Sequence, residues 1–312
     1  MKRIRLEKLV RVVISAIQRV LGDNVVASAF FGSICFPEEY VPNLSDINVC
    51  VITKEVVRDL YLAIFKLKTL CWERTKLHFS FAIYPERLFR EFYFEGIPIA
   101  ILVAHSCQYI LGGNYLSDLK KKPYGYGTLA INYSLCSSFT AISLAIEKYL
   151  SQIHAEAIRH AYHSARHSLR ALIHHETKKF PLNDKEILKT LEKLGDKDLV
   201  ATYKVFMIHK KKALLIQSKV RKKLKVSSPS IHKLPLDALL IENITSKLIY
   251  KAYELVRDVW KKIHGASLKS LDYIIKRSIT LNALEISLRC QDDKPILEIF
   301  DGEETHTIPL TL

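Results

Sequence analysis

The stretch "FFGSICFPEEYVPNLSDINVCVIT", residues 30–53, decides how this chain is read. An apolar run ends at Gly32-Ser33, a polar loop containing proline follows, and Ser45-Asp46-Ile47-Asn48 opens a second apolar run. Both runs have strand composition, and residues two apart in a strand point to the same side, so Asp46 and Asn48 are expected to share a face. Outward from this stretch, residues 4–21 repeat apolar side chains at helical spacing until Gly22-Asp23-Asn24 breaks the helix. Beyond it, Lys54 to Trp72 reads as helix and "LHFSFAIY", 77–84, alternates with period two until Pro85. Helix, strand, loop, strand, helix, strand predicts an α/β domain over 1–127. The segment 111–127, rich in Gly, Tyr and Lys, reads as a hinge.

The pattern of Gly32-Ser33 at a strand end, a loop, and Asp46-Ile47-Asn48 in the next strand resembles the nucleotidyltransferase fold of the polymerase-beta-like superfamily. The resemblance implies that Gly32 and Ser33 hold a nucleoside triphosphate, and that acids at the positions of Asp46 and Asn48 bind Mg²⁺. Here Asp46 fills the first acid position, as metal ligand and catalytic residue, but Asn48 stands at the second. Asn is an oxygen ligand without charge, so it holds Mg²⁺ weakly. The third acid of the family aligns with the strand 77–84, where His78 and Ser80 are not carboxylates; Glu73 and Glu86 flank that strand. The implied function is a nucleotide- or RNA-binding protein with a degenerate metal site. The competing reading is an active transferase that moves a nucleotide monophosphate to RNA, protein or a small molecule.

From 128 to 280 the chain turns to long amphipathic helices, and 281–312 reads as a β hairpin around Asp292-Asp293-Lys294-Pro295, with room for one more strand. On a wheel of residues 150–176, Ile158, Ala161, Tyr162, Ala165, Leu169, Leu172 and Ile173 form one apolar stripe. His160, His163, His167 and His174, flanked by Arg159, Arg166 and Arg170, lie opposite and read as a solvated, RNA-facing ridge rather than a metal site. Residues 199–236 hold no acid, while Lys210, Lys211, Lys212, Lys222 and Lys223 are among ten cations there, which suits an anion-binding surface.

This half, and "AYHSARHSLRALIHHETKKFPLNDKEILKTLEKL" above all, resembles HEPN helical domains. Some HEPN members are ribonucleases with an Arg-x4-6-His motif; Arg257-Asp258 followed by His264 fits it, and Arg170 with His175 fits the spacing. In a helix over 238–264, Ile241, Ile244, Leu248, Ala252, Leu255, Val259 and Ile263 form the core stripe, with Arg257, His264 and Tyr253 on the other face. A ribonuclease would use His264 as acid or base and Arg257 to steady the phosphate. The helical domain is also the expected homodimer face.

Composition bounds the rest. A formal charge of +15, from 47 Lys and Arg against 32 Asp and Glu, favours polyanionic ligands, and a hydrophobic fraction of 49% is ample for buried cores. Six cysteines without a CxxC pair predict reduced, buried thiols and a cytoplasmic protein. Arg11 and Gln18-Arg19 interrupt what would otherwise be a signal-peptide core. The uncharged run 123–146 carries Gly, Asn and Ser and reads as buried core and loop, not a membrane span.

Overall fold

A computed structural model describes residues 6–36, 39–41, 45–105, 108–224, 238–264, 285–291, 294–300 and 304–309. Two compact units divide the chain, 1–130 and 131–312.

In the first unit, α1 (Leu6–Leu21) buries Leu9, Val12, Val13, Ala16 and Ile17, the i, i+3, i+4, i+7, i+8 stripe of an amphipathic helix. Gly22, at φ +55°, turns the chain out of it. β1 (Val25–Phe31) pairs antiparallel with β2 (Ile47–Thr53), β2 pairs parallel with β3 (Phe79–Pro85), and β4 (Tyr109–Leu111) lies on the far side of β1. The sheet order is therefore β3-β2-β1-β4. Phe30, Ile47, Val49, Val51, Phe79 and Phe81 pack on one face with α1 and with α2 (Leu60–Thr75). Ala27, Ala29, Cys50 and Ile52 pack on the other with α3 (Glu86–Phe94), α4 (Pro98–Ala104) and α5 (Gly113–Lys120). β2 is covered on both faces, which is why its sequence is a nearly continuous apolar run.

One expectation here needs correction. The second helix begins at Leu60, not Lys54, because the Asp59 carboxylate accepts from Leu62 N–H and caps it there. The segment 111–127, expected as a hinge, carries regular structure over much of its length and ends three residues before the division between the two units. Leu111 ends β4, α5 occupies 113–120, and Tyr93 Oη donates to Lys122 O at 2.9 Å. Gly112 runs so close to β1 that a Cβ on it would stand 2.1 Å from Val26 O.

The second unit holds most of α6 (Thr128–Leu150), then α7 (His154–Thr177), α8 (Asp184–Lys193), α9 (Lys197–Leu224) and α10 (Ala238–His264). Ala161, Tyr162, Ala165, Leu169 and Leu172 of α7 join Tyr203 and Phe206 of α9 and Leu248, Ala252, Leu255 and Val259 of α10 in one core. The stripe expected for α7 is buried as read; that of α10 is buried at Leu248, Ala252, Leu255 and Val259 and partly buried at Ile244 and Ile263, while Tyr253, expected on the open face, is also in the core. The side chain of Ile241 lies outside the described residues.

The run 123–146 contains no long loop: α6 is continuous from Thr128, Ser137 and Ser143 bond back to the carbonyls of Tyr133 and Phe139, and Ser138 pairs across to α7. Ser138 Oγ lies 2.6 Å from Ser168 Oγ and 3.0 Å from Ser164 Oγ, both on α7. Among the described residues α6 is long and apolar enough to cross a membrane, and half of its apolar window is buried in the protein. The expected C-terminal hairpin carries a third strand, giving an antiparallel sheet β5 (Glu285–Gln291), β6 (Lys294–Phe300), β7 (Thr305–Pro309). The architecture is mostly helical with a small mixed sheet near the N-terminus, compatible with a nucleotidyltransferase-like α/β domain plus a helical region.

Candidate nucleotide site

Strand register assembles the candidate site. Phe31 pairs with Asn48 across β1 and β2, and Asn48 pairs with Ser80 across β2 and β3. The end of β1, the start of β2 and the start of β3 therefore meet at one edge of the sheet. Gly32 and Ser33 leave β1 in a single 3₁₀ turn, Gly32–Cys35, and Asp46 enters β2 directly opposite. Asn48 and Ser80 lie in line with Cys50, Ile52 and Tyr84, so their side chains point to the face covered by α3 to α5.

Gly32 is at φ +73°, and a Cβ there would stand 3.0 Å from Asn48 Nδ2. The carboxamide of Asn48 thus occupies the space over the glycine. Asp46 is exposed, whereas Ser33, Asn48 and Ser80 are each partly covered. Tyr40, which sequence reading passed over, lies close enough to Asp46 to sense its charge. Burial, and after it the Asp46 carboxylate, pushes the phenol up to about 12, and Tyr40 Oη is buried without a hydrogen-bond partner among the described residues. The only signal for it was an aromatic residue in the loop between Gly32-Ser33 and Asp46.

The register also decides between the flanking acids. Glu86 opens α3 beyond the opposite end of β3, about 20 Å from Ser80 at strand rise. Glu73 is exposed on α2, which packs on the other face of the sheet. Neither replaces the missing carboxylates. Available donors at the sheet edge are one carboxylate (Asp46), one carboxamide (Asn48) and two hydroxyls (Ser33, Ser80). Mg²⁺ demands near-octahedral oxygen ligation anchored by carboxylates, and this set does not fit a two-metal centre. Among the described residues no three His, Cys, Asp or Glu side chains are grouped so as to hold a metal.

In the helical unit the structure corrects the expected RNA ridge. Arg166 and Arg170 are buried, because α8 and α9 lie over that side of α7. Asp184, the first residue of α8, accepts from Tyr162 Oη at 2.7 Å and Tyr203 Oη at 2.6 Å, and its Oδ1 lies 3.2 Å from Arg166 Nε. Burial opposes the charge on Asp184, but Arg166 and the two phenols hold its carboxyl below the usual range. Arg170 donates to Leu182 O at 2.7 Å and stacks on Phe180. Burial, with Arg166 beside it, lowers Arg170 to about 10.

His163 and His167 are only partly exposed, and burial together with neighbouring cations holds both well down, His167 to about 3. His174 is fully buried against Phe180. Lys210 turns inward over the Tyr162 ring at 3.9 Å, and Arg159 is clamped by both oxygens of Glu156 at 2.9 Å. Lys211 and Lys212 alone among the described basic candidates are exposed; the side chains of Lys222 and Lys223 lie outside the described residues.

The pair offered for ribonuclease chemistry does not converge on one contact. Arg257 reaches Asp258 at 3.4 Å, and His264, two turns further on, lies exposed against the Trp260 ring at 4.4 Å. Burial, and then His175 on α7, lowers the His264 imidazole.

No family model matches the chain, and no curated protein matches it either. Among solved structures it is similar to a nucleotidyltransferase-like protein from Exiguobacterium sibiricum 255-15, at 12% identity and a TM-score of 0.29, over 97% of this chain and 100% of that one. A superposition at that score is too loose to transfer a residue or an activity.

Proposed function

We propose that this chain binds a nucleotide at the sheet edge formed by Gly32, Ser33, Asp46, Asn48 and Ser80, and that it does so without metal-dependent nucleotidyl transfer. One observation carries the reading: register places the neutral side chains Asn48 and Ser80 side by side beneath Gly32-Ser33, with Asp46 as the remaining carboxylate. Transfer through two metals draws its transition-state stabilisation from several carboxylates, and a site with one of them has lost most of that source. Ser33 hydroxyl, Asn48 amide and Ser80 hydroxyl can each donate a hydrogen bond to a phosphate oxygen, and Gly32 leaves the backbone open to close approach.

RNA has less support as the ligand. The guanidinium groups of Arg166 and Arg170 are engaged inside the helical unit and cannot contact a phosphate backbone. Titrating the four ribonucleoside triphosphates by calorimetry, with Mg²⁺ and with EDTA, tests the proposal. Saturable binding that is indifferent to Mg²⁺ and weakened about tenfold by Ser33→Ala is the expected outcome, roughly the loss of one charge-assisted hydrogen bond. Absence of any nucleotide binding, or label transfer from a nucleotide that Asp46→Ala abolishes, would overturn it.

A further inference from the structure

The first unit carries an apolar groove that plays no part in nucleotide binding. It runs between the last turn of α1 and the outer side of α2, measures about 570 Å³, and is lined by Val20, Leu21, Val57, Leu62, Phe65 and Leu70. α2 is apolar on two sides. Leu67 and Cys71 face the sheet, yet Leu62 and Phe65, both lining the groove, remain 44% and 66% exposed. Large apolar and aromatic side chains left in water at adjacent positions mark a surface that another body covers.

The rim supplies the chemistry of that body. Arg19 on α1 and Lys66 on α2 flank the groove. Asp59 is the one acid among the lining residues, and its Oδ1 is committed to capping α2. A second copy of a chain with formal charge +15 would bring cations toward cations. A partner with carboxylates beside its apolar row would not. Grooves between neighbouring helices accept a further helix, whose side-chain ridges seat between theirs.

We propose that the α1–α2 groove docks an amphipathic helix of a second protein, one whose apolar row is flanked by acidic residues, with Phe65 and Leu62 as the anchors on this side. The groove lies on the face of the sheet opposite Asn48 and Ser80, so its occupancy does not depend on the nucleotide reading.

The test uses the full chain and two fluorescein-labelled probe peptides of about five helical turns. Both carry Leu at i, i+3, i+4 and i+7; one has Glu on the flanks and the other Lys. Anisotropy titration should show the Glu peptide binding at least about tenfold more tightly than the Lys peptide. Phe65→Asp, at an exposed position, should abolish that binding without moving the thermal midpoint. Arg19→Glu combined with Lys66→Glu should reverse the preference between the peptides, a result that simple hydrophobic adhesion would not give. Equal binding of both peptides, binding of neither, or Glu-peptide binding unchanged by Phe65→Asp overturns the proposal. So does a dimer in sedimentation equilibrium that Phe65→Asp dissociates, which would assign the groove to a second copy, or anionic vesicles that compete the Glu peptide away.

Discussion

The carboxamide of Asn48 stands against the Cα of Gly32, so closely that a Cβ on the glycine would meet Asn48 Nδ2 at 3.0 Å. The glycine is also at φ +73°, where an L side chain is strained. Gly32→Ala therefore combines a backbone cost of about 1–2 kcal/mol with displacement of Asn48. Thermal melting should show a fall of several degrees, and nucleotide affinity should drop with it. An unchanged melting temperature would mean that the turn relaxes freely and that Gly32 is not needed for close approach.

If the metal site is degenerate because Asn48 and Ser80 replaced acids, restoring the acids should restore metal binding. Asn48→Asp with Ser80→Asp sets three carboxylates at the sheet edge, since Asp46 precedes Asn48 by two residues and Ser80 is the register partner of Asn48. Calorimetry should detect no Mg²⁺ or Mn²⁺ binding to the parent and clear binding to the double variant, and nucleotide binding should become metal-dependent. Asn48→Asp alone should give a weaker gain. A double variant that folds and still binds no divalent cation would show that the backbone, rather than the side chains, is the wrong shape.

The strands were legible in the sequence because β2 is buried on both faces and β1 on most of its length, which forces apolar runs whatever the register. Gly32, Asp46 and Ser80 were legible because the spacing of the motif maps onto neighbouring strand ends. The short elements between β3 and α6 were not: α3, α4 and α5 are held by Tyr93, Gly112 and Gly125 packing against distant backbone, and their glycines resemble a linker. The polar side of α7 misled for a related reason. A helical wheel separates polar from apolar residues, but it cannot say that Asp184 and Phe180, more than a dozen residues after Arg166, will fold back to cover the arginines.

Asp184 is the hub of that cover, since it is buried and its one carboxylate serves Arg166, Tyr162 and Tyr203. Asp184→Asn keeps the size of the side chain and removes the carboxylate charge that faces the buried Arg166. Removing one partner of a buried pair costs about 3–5 kcal/mol. Urea denaturation should record a loss in that range, with the α7–α8–α9 region most affected in amide exchange. A loss below about 1 kcal/mol would mean that water or another group compensates Arg166.

The histidines of α7 should make the helical unit acid-sensitive. Burial, then Arg170 and Arg166, lowers His167 to about 3, and burial with Lys210 and Arg159 lowers His163 as well, from an ordinary value of 6.5. A base with a depressed folded pKa stays neutral in the native state while the unfolded chain takes up the proton. Between about pH 3 and pH 6.5 the unfolded state therefore binds more protons, and stability falls as pH falls through that window. Each such histidine contributes at most about 1.4 kcal/mol per pH unit, less where solvent reaches the ring. Urea midpoints measured at pH 7.5, 6.5 and 5.5 (test conditions spaced about one unit around the ordinary histidine value) should be level across the first step and lower at the last. His167→Gln should reduce the slope below pH 6.5 while leaving the plateau above it nearly in place, because glutamine carries no titrating group. A midpoint that holds constant to pH 5.5, or a glutamine variant with the parent slope, would mean that these rings protonate in place and that the cations around them are better solvated than their packing implies.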